Sequence, residues 1–162
     1  VFAAPSGRIE IASAAAEADG HSRVPAPDAD EPPADGLLRL LSPASEWTMN
    51  ASFSNDRKIR GRLGVITVTL HANDAAKRGL VAGDRVRVTS DEGALTVELV
   101  IGDSVPEGVA LIPKGRWLTH EPGGANVNVL TMARHTDMGE STAIHGTLVR
   151  VEALPEAPAV GD

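Results

Sequence analysis

The sequence predicts a mainly β domain, a closed barrel or a sandwich, with few and short helices. Apolar and polar residues alternate with a period of two through much of the central region, and the strand candidates are short and bounded by Gly, Pro, Asn or Asp. No long helical pattern alternates with them. The 162 residues suffice for one ordinary domain, and a composition with two Trp, two Phe and no Tyr predicts an aliphatic core.

Six strand candidates follow one another between residues 37 and 152. The clearest two, residues 85–89 and 95–99, alternate on either side of the turn at residues 91–93 and predict a hairpin. The inward face should hold Val86, Val88, Leu95, Val97 and Leu99, and the outward face Arg85, Arg87, Thr96 and Glu98. The other candidates are residues 37–41, 65–71, 108–113 and 147–152.

One short helix is predicted between the second and third strand candidates. Asn73 can cap it, residues 75–78 fill it, and Gly79 suits the left-handed position that ends it.

Charge and proline content suggest how the chain is organised. Residues 1–36 are acidic and end in the Pro-rich stretch 24–36, so we expect an N-terminal arm and an extended linker. Residues 37–154 are nearly neutral and should form the barrel, and residues 155–162 a disordered tail. Because the chain begins with Val1, we expect it to be a fragment of a longer protein.

Two segments depart from the alternating pattern, and function is expected there. The first loop is residues 42–55 (SPASEWTMNASFSN), and four cations follow it within six residues: Arg57, Lys58, Arg60 and Arg62. The late loop is residues 115–139 (GRWLTHEPGGANVNVLTMARHTDMG). Asn side chains and Gly-freed amides can read purine or pterin edges and hold phosphates, although the same residues also make ordinary turns.

Three segments together resemble a known family. They are residues 40–55, residues 71–86 (HANDAAKRGLVAGDRV) and residues 123–131 (GGANVNVLT), with residues 5–11 resembling the segment that leads into the domain. The chain resembles the C-terminal molybdopterin-dinucleotide-binding domain of the dimethyl sulfoxide reductase family of molybdenum and tungsten oxidoreductases. Family members usually have Pro where Ala72 stands, which affects only the turn before the helix. The resemblance implies a double-psi β-barrel (aspartate-decarboxylase-like) with one or two short helices.

The resemblance also implies a cofactor and a set of contacts. The parent enzyme would hold a bis-molybdopterin guanine dinucleotide with Mo or W for two-electron chemistry, and the fragment alone would lack the cofactor and be inactive. The implied cofactor-binding residues are Ser42, Ala44, Ser45, Glu46, Met49, Asn50, Trp117, Asn126, Asn128, Thr131 and His145. The implied partners are the other domains of the parent oxidoreductase, with an electron-transfer subunit as a further candidate.

Other functions find less support in the residues. A net charge of −7 argues against a nucleic-acid binder, no apolar run predicts a membrane span, and the chain has no Cys. The His residues lack paired metal-ligand spacing, so no metal site is expected, and no GxSxG motif suggests a hydrolase. The alternative that stays open is a double-psi barrel that recruits a protein partner, which would present an exposed apolar patch rather than a polar groove.

Overall fold

Six strands close into a barrel. They are β1 (Leu38–Leu41), β2 (Thr67–Leu70), β3 (Arg85–Thr89), β4 (Ala94–Ile101), β5 (Val109–Leu111) and β6 (Leu148–Ala153). Their order around the barrel is β1-β5-β2-β4-β3-β6. The pairs β1–β5 and β2–β4 are parallel and the other four are antiparallel. The prediction of a mainly β double-psi barrel is confirmed, as is the β3–β4 hairpin.

The interior of the barrel is aliphatic, as the composition predicts. In β3 and β4 the buried side chains are the five predicted to face inward, while the four predicted to face outward are exposed. Leu40, Val68 and Leu70 close the core from the neighbouring strands with no exposed surface. Because side chains alternate strictly across a strand, the pattern of β3 and β4 determines which residues fill the barrel.

The helices differ from the prediction at two points. The helix α3 spans Ala72–Lys77, and its cap is His71, whose Nδ1 accepts a hydrogen bond from the backbone N–H of Asn73 at 3.2 Å. The prediction that Asn73 caps the helix is therefore wrong. The helix begins earlier, and the imidazole of His71 accepts the capping hydrogen bond that a Ser, Thr, Asp or Asn side chain usually accepts. A further helix, α2 (Arg57–Leu63), carries the four cations after the first loop, and Asp56 caps it.

The structure is a computed structural model that describes residues 2–25, 31–136 and 140–154. By contacts the chain divides into two compact units, Val1–Glu31 and Pro32–Asp162. The first unit contains the short helix α1 (Ala14–Ala18), and the second contains the barrel. The predicted tail 155–162 and part of the predicted linker, residues 26–30, lie outside the described residues. No helix in the described ranges is long and apolar enough to cross a membrane.

Candidate functional site

The first loop and the late loop lie side by side. The two segments stay together beyond the parallel β1–β5 pair, since the Lys114 N–H donates to the Pro43 carbonyl at 2.9 Å. Further along, the Ser54 hydroxyl donates to the Gly115 carbonyl at 3.3 Å. The barrel thus brings together two segments that are 61 residues apart in sequence at this contact.

Gly115 allows a close approach between the two loops. Its φ of +98° is a conformation that residues with a side chain rarely adopt. A Cβ atom at this position would lie 2.4 Å from the Asn50 carbonyl oxygen and 2.6 Å from Thr48 Oγ1. The contact therefore requires glycine for both its backbone angle and its lack of a side chain.

His120 makes a second bridge between these segments. Its Nδ1 lies 3.3 Å from Nη1 of Arg60, and its Nε2 lies 3.0 Å from Oδ1 of Asn55. A guanidinium can only donate, so Nδ1 must accept and Nε2 must carry the hydrogen that is donated to Asn55. The neutral imidazole satisfies both contacts.

The predicted residues of the first loop occupy different environments. Ser42 is buried, and its backbone N–H donates to His145 Nδ1 at 3.4 Å, which brings two predicted site residues together. Ser45 is half-buried and accepts a hydrogen bond from the Trp47 N–H. The remaining predicted residues of the loop, Ala44, Glu46, Met49 and Asn50, are exposed.

The late loop holds the other predicted residues. Asn126 is buried, with Nδ2 donating to the Arg116 carbonyl at 2.8 Å and Oδ1 accepting from the Asn128 N–H at 2.9 Å. The side chain of Asn128 is exposed, as is Trp117, and Thr131 is half-buried. Asn126 thus shapes the 3₁₀ turn Val127–Leu130 and presents Asn128 at the surface.

Two buried hydroxyls in the first loop have no hydrogen-bond partner among the described residues. They are Ser42 Oγ and Thr48 Oγ1, in residues that are 5% and 8% exposed. Buried polar atoms are usually paired, so these unpaired hydroxyls at the loop junction are candidates for contact with a ligand. Thr48 is not predicted as a site residue from the sequence, because nothing in the sequence distinguishes a buried Thr from the other polar residues of the loop.

The surroundings of the junction are positively charged. All four cations of α2 are exposed, and none has a carboxylate partner within salt-bridge distance among the described residues. The guanidinium carbon of Arg62 lies 4.9 Å from the centre of the Trp47 ring, a cation–π contact. The backbone N–H groups of Ile59 and Lys58 hold the pKa of Asp56 below its usual range.

Two cavities flank the junction. One, of about 240 Å³, is lined by residues that include Ser45, Trp47, Arg62 and Lys114. The other, of about 230 Å³, is lined by residues that include Arg60, Trp117 and His120. Nowhere in residues 2–25, 31–136 and 140–154 do three or more His, Asp or Glu side chains cluster so as to hold a metal ion. The site can therefore offer hydroxyl, amide and cationic groups to a polar, anionic ligand.

Comparison with known families identifies the domain. The profile of the family described as "Molydopterin dinucleotide binding domain" matches residues 38–148, which include strands β1 to β5, both loops and the first residue of β6. The chain belongs to this family. The resemblance stated from the sequence is confirmed.

Individual relatives agree with that assignment. The chain is 32% identical over 126 residues to biotin sulfoxide reductase from Cereibacter sphaeroides, covering 73% of this chain and 17% of the relative. It is 31% identical over 164 residues to dimethyl sulfoxide/trimethylamine N-oxide reductase from Rhodobacter capsulatus, covering 88% of this chain and 19% of the relative. The solved structure of acetylene hydratase from Pelobacter acetylenicus has the same fold, with a TM-score of 0.76 at 21% identity over 93% of this chain and 24% of that one. The chain spans about a fifth of the length of these curated relatives.

Proposed function

We propose that this domain binds a bis-molybdopterin guanine dinucleotide carrying Mo or W, as the cofactor-binding part of an oxidoreductase. Family membership and relatives named as sulfoxide and N-oxide reductases support the proposal. The cofactor, when bound, would supply the two-electron redox chemistry. The chain's own residues would bind and orient it.

The observation that carries the proposal is the junction of the two loops. The orphaned hydroxyls of Ser42 and Thr48 lie in the first loop, and the exposed amide of Asn128 lies in the late loop. A dinucleotide rich in amide, amine and phosphate groups offers the hydrogen-bond partners that these side chains lack. The buried polar atoms of the chain therefore fit the group.

We assign the predicted residues to roles by their environment. Ser42 and His145 form one polar pair at the start of the first loop, where His145 Nε2 is left to meet the ligand. Asn126 keeps one Nδ2 hydrogen beyond its bond to the Arg116 carbonyl, so it can both shape the loop and donate to the ligand. The cations of α2 would neutralise the pyrophosphate.

The partners of the domain are also proposals. Exposed apolar side chains stand around the junction, and we assign them to packing against other parts of the parent enzyme: Met49, Phe53, Trp117 and Leu118. An electron-transfer subunit is a further candidate partner of the parent enzyme. The 162-residue chain alone would have no redox activity.

The same exposed side chains favour the second candidate function, a module that recruits a separate protein. Met49 is 65% exposed and Phe53, four residues later in the same loop, is 62% exposed, and exposed apolar side chains grouped in this way are a feature of interaction surfaces. The two functions differ in what binds first. A cofactor domain binds a guanine nucleotide without any protein present, and a recruitment module does not.

Tryptophan fluorescence tests the proposal directly, because the two Trp residues of the chain, Trp47 and Trp117, lie in the two loops. Each of the variants Trp47→Phe and Trp117→Phe keeps one of the two Trp residues. GDP, which stands in for the guanosine diphosphate part of the cofactor, should quench the fluorescence of the remaining Trp in both variants. We expect saturation between micromolar and millimolar GDP, since a single domain retains only part of the contacts. Absence of saturable quenching at millimolar GDP would favour the recruitment module.

The exposed amide of Asn128 gives the residue-level test. Asn128→Ala should weaken GDP binding by about 1–3 kcal/mol if the amide is buried against the ligand, and hardly at all if it only shapes a turn. Asn73→Ala is the matched control, because Asn73 lies on α3 and bonds Glu107 at 2.6 Å, away from both loops. Equal affinities of the two variants would remove Asn128 from the site.

A further inference from the structure

Arg116 makes an unusual set of contacts with the end of α2. Nη2 donates to the carbonyls of Leu63 and Val65 at 2.7 and 2.8 Å, and Nη1 donates to the carbonyl of Gly64 at 2.7 Å. Nη1 also lies 3.4 Å from the Glu121 carboxylate. One guanidinium therefore binds three successive backbone carbonyls, where a helix leaves its last carbonyls without partners.

Burial makes this contact set specific to arginine. The side chains of Arg116 and Glu121 are 11% and 8% exposed, so the ion pair is largely shielded from water. The planar guanidinium presents several N–H groups in a fixed fork, whereas an ammonium is a point charge that cannot reach three carbonyls in that geometry. A cation is also favoured at the negative end of a helix.

The main chain of Arg116 points to the other side of the junction. Its carbonyl accepts from Nδ2 of Asn126, whose Oδ1 in turn accepts from the Asn128 N–H. The preceding residue, Gly115, is packed against the first loop at Asn50 and Thr48. Residues 115 and 116 thus contact the first loop, the end of α2 and the late loop at once.

We propose that Arg116 is the positioning residue of the dinucleotide site, holding the first loop, α2 and the late loop in a single geometry before the ligand binds. The inference rests on the proposed function and adds a residue that acts through its neighbours. The Nη donors of Arg116 are all bonded to protein acceptors. Arg116 therefore affects the ligand indirectly, by fixing the positions of Asn128 and of the α2 cations.

Arg116→Lys tests this inference, because it keeps the charge and removes the fork. In the 162-residue chain without ligand, the amide resonances of Asn126 and Asn128 should shift, and the GDP dissociation constant should rise about tenfold, within the usual range for coupled sites. The dependence of GDP affinity on salt should become weaker, because the α2 cations lose their fixed position while the charge at residue 116 is kept. Arg87→Lys, on the outward face of β3, is the matched control and should change none of the three: the two amide resonances, the GDP dissociation constant and its salt dependence.

The outcomes separate the inference from the proposed function. Unshifted Asn126 and Asn128 resonances in Arg116→Lys, or unchanged GDP affinity despite shifted resonances, overturn the positioning role. An unchanged salt dependence overturns it too, since the α2 cations would then keep their position without the Arg116 guanidinium. Failure of the wild-type chain to bind GDP overturns the proposed function, while the ligand-free resonances still test the coupling. If Arg116→Lys does not fold, Glu121→Gln takes its place and should shift the same two resonances by a smaller amount.

Discussion

Replacing Gly115 by alanine should destabilise the domain more than any other single glycine substitution in the described part of the late loop, residues 115–136. An L-residue at a φ of +98° costs about 1–2 kcal/mol. The added Cβ would also lie 2.4 Å from the Asn50 carbonyl oxygen and 2.6 Å from Thr48 Oγ1, and overpacking of this kind costs about 1–3 kcal/mol. Together these give a loss of about 2–5 kcal/mol, a large share of the roughly 5–15 kcal/mol typical of a domain.

Two other glycines separate the backbone effect from the steric one. Gly123→Ala has a similar φ of +82° but nothing within 4 Å of the new Cβ, so it should cost only about 1–2 kcal/mol. Gly93→Ala has no left-handed backbone, but its Cβ would lie 2.6 Å from the Val129 carbonyl oxygen, so it should cost about 1–3 kcal/mol.

Urea unfolding of the three variants and the wild type measures these losses, provided that the m-values stay equal. The ordering expected is Gly115→Ala least stable, with Gly123→Ala and Gly93→Ala between it and the wild type. If Gly115→Ala unfolds at the same urea concentration as Gly123→Ala, the two loops do not touch as described, and the junction is wrong.

Three further predictions follow from the barrel, from α2 and from the cations. Leu70→Ala, at a fully buried position, should lose about 2–5 kcal/mol in urea unfolding, whereas Val81→Ala, at 64% exposure, should change stability by less than about 0.5 kcal/mol. The pKa of Asp56 is lowered in the folded chain, so the stabilisation of α2 by its carboxylate is complete above about pH 4 and is lost as the pH falls through the lowered pKa. The amide chemical shifts of α2 should follow this loss in the wild type. They should not follow it in Asp56→Asn, because the Asn side chain still caps the helix and does not titrate. GDP affinity should fall as salt rises, and the triple variant Arg57→Gln, Lys58→Gln, Arg60→Gln should show a weaker salt dependence; an unchanged dependence would exclude these cations from the phosphates.

The fold could be predicted from the sequence because the alternation of apolar and polar residues is visible within each short strand and recurs from strand to strand. The alternation in β3 and β4 determines which side chains face the interior, and that pattern survives errors of one or two residues at strand ends. Helix α2 was not anticipated, because Ile59 and Leu63 alone give it an apolar side and Gly61 weakens the helical pattern. The cap of α3 was misplaced by two residues because imidazole capping resembles nothing in the usual Ser, Thr, Asp and Asn pattern.

The candidate site could be predicted as two loops but not as a set of contacts. Polar composition and length point to residues 42–55 and 115–139, and nothing in either segment says where they touch. Gly115 and Arg116 owe their roles to carbonyl groups more than 50 residues away in sequence, so no local pattern reveals them. Thr48 becomes notable only through the burial of its unpaired hydroxyl.

The central claim is that one ligand contacts both loops, and a two-dimensional NMR titration of the isotopically labelled chain with GDP tests it most directly. We expect saturable shifts in residues 42–55 and in residues 115–131, with the same dissociation constant for both segments, because the Ser54–Gly115 contact joins them into one site. Residues on the far side of the barrel, such as Lys77 and Glu107, should stay unchanged. Shifts confined to one loop, two different dissociation constants, or none at millimolar GDP would contradict a shared dinucleotide site.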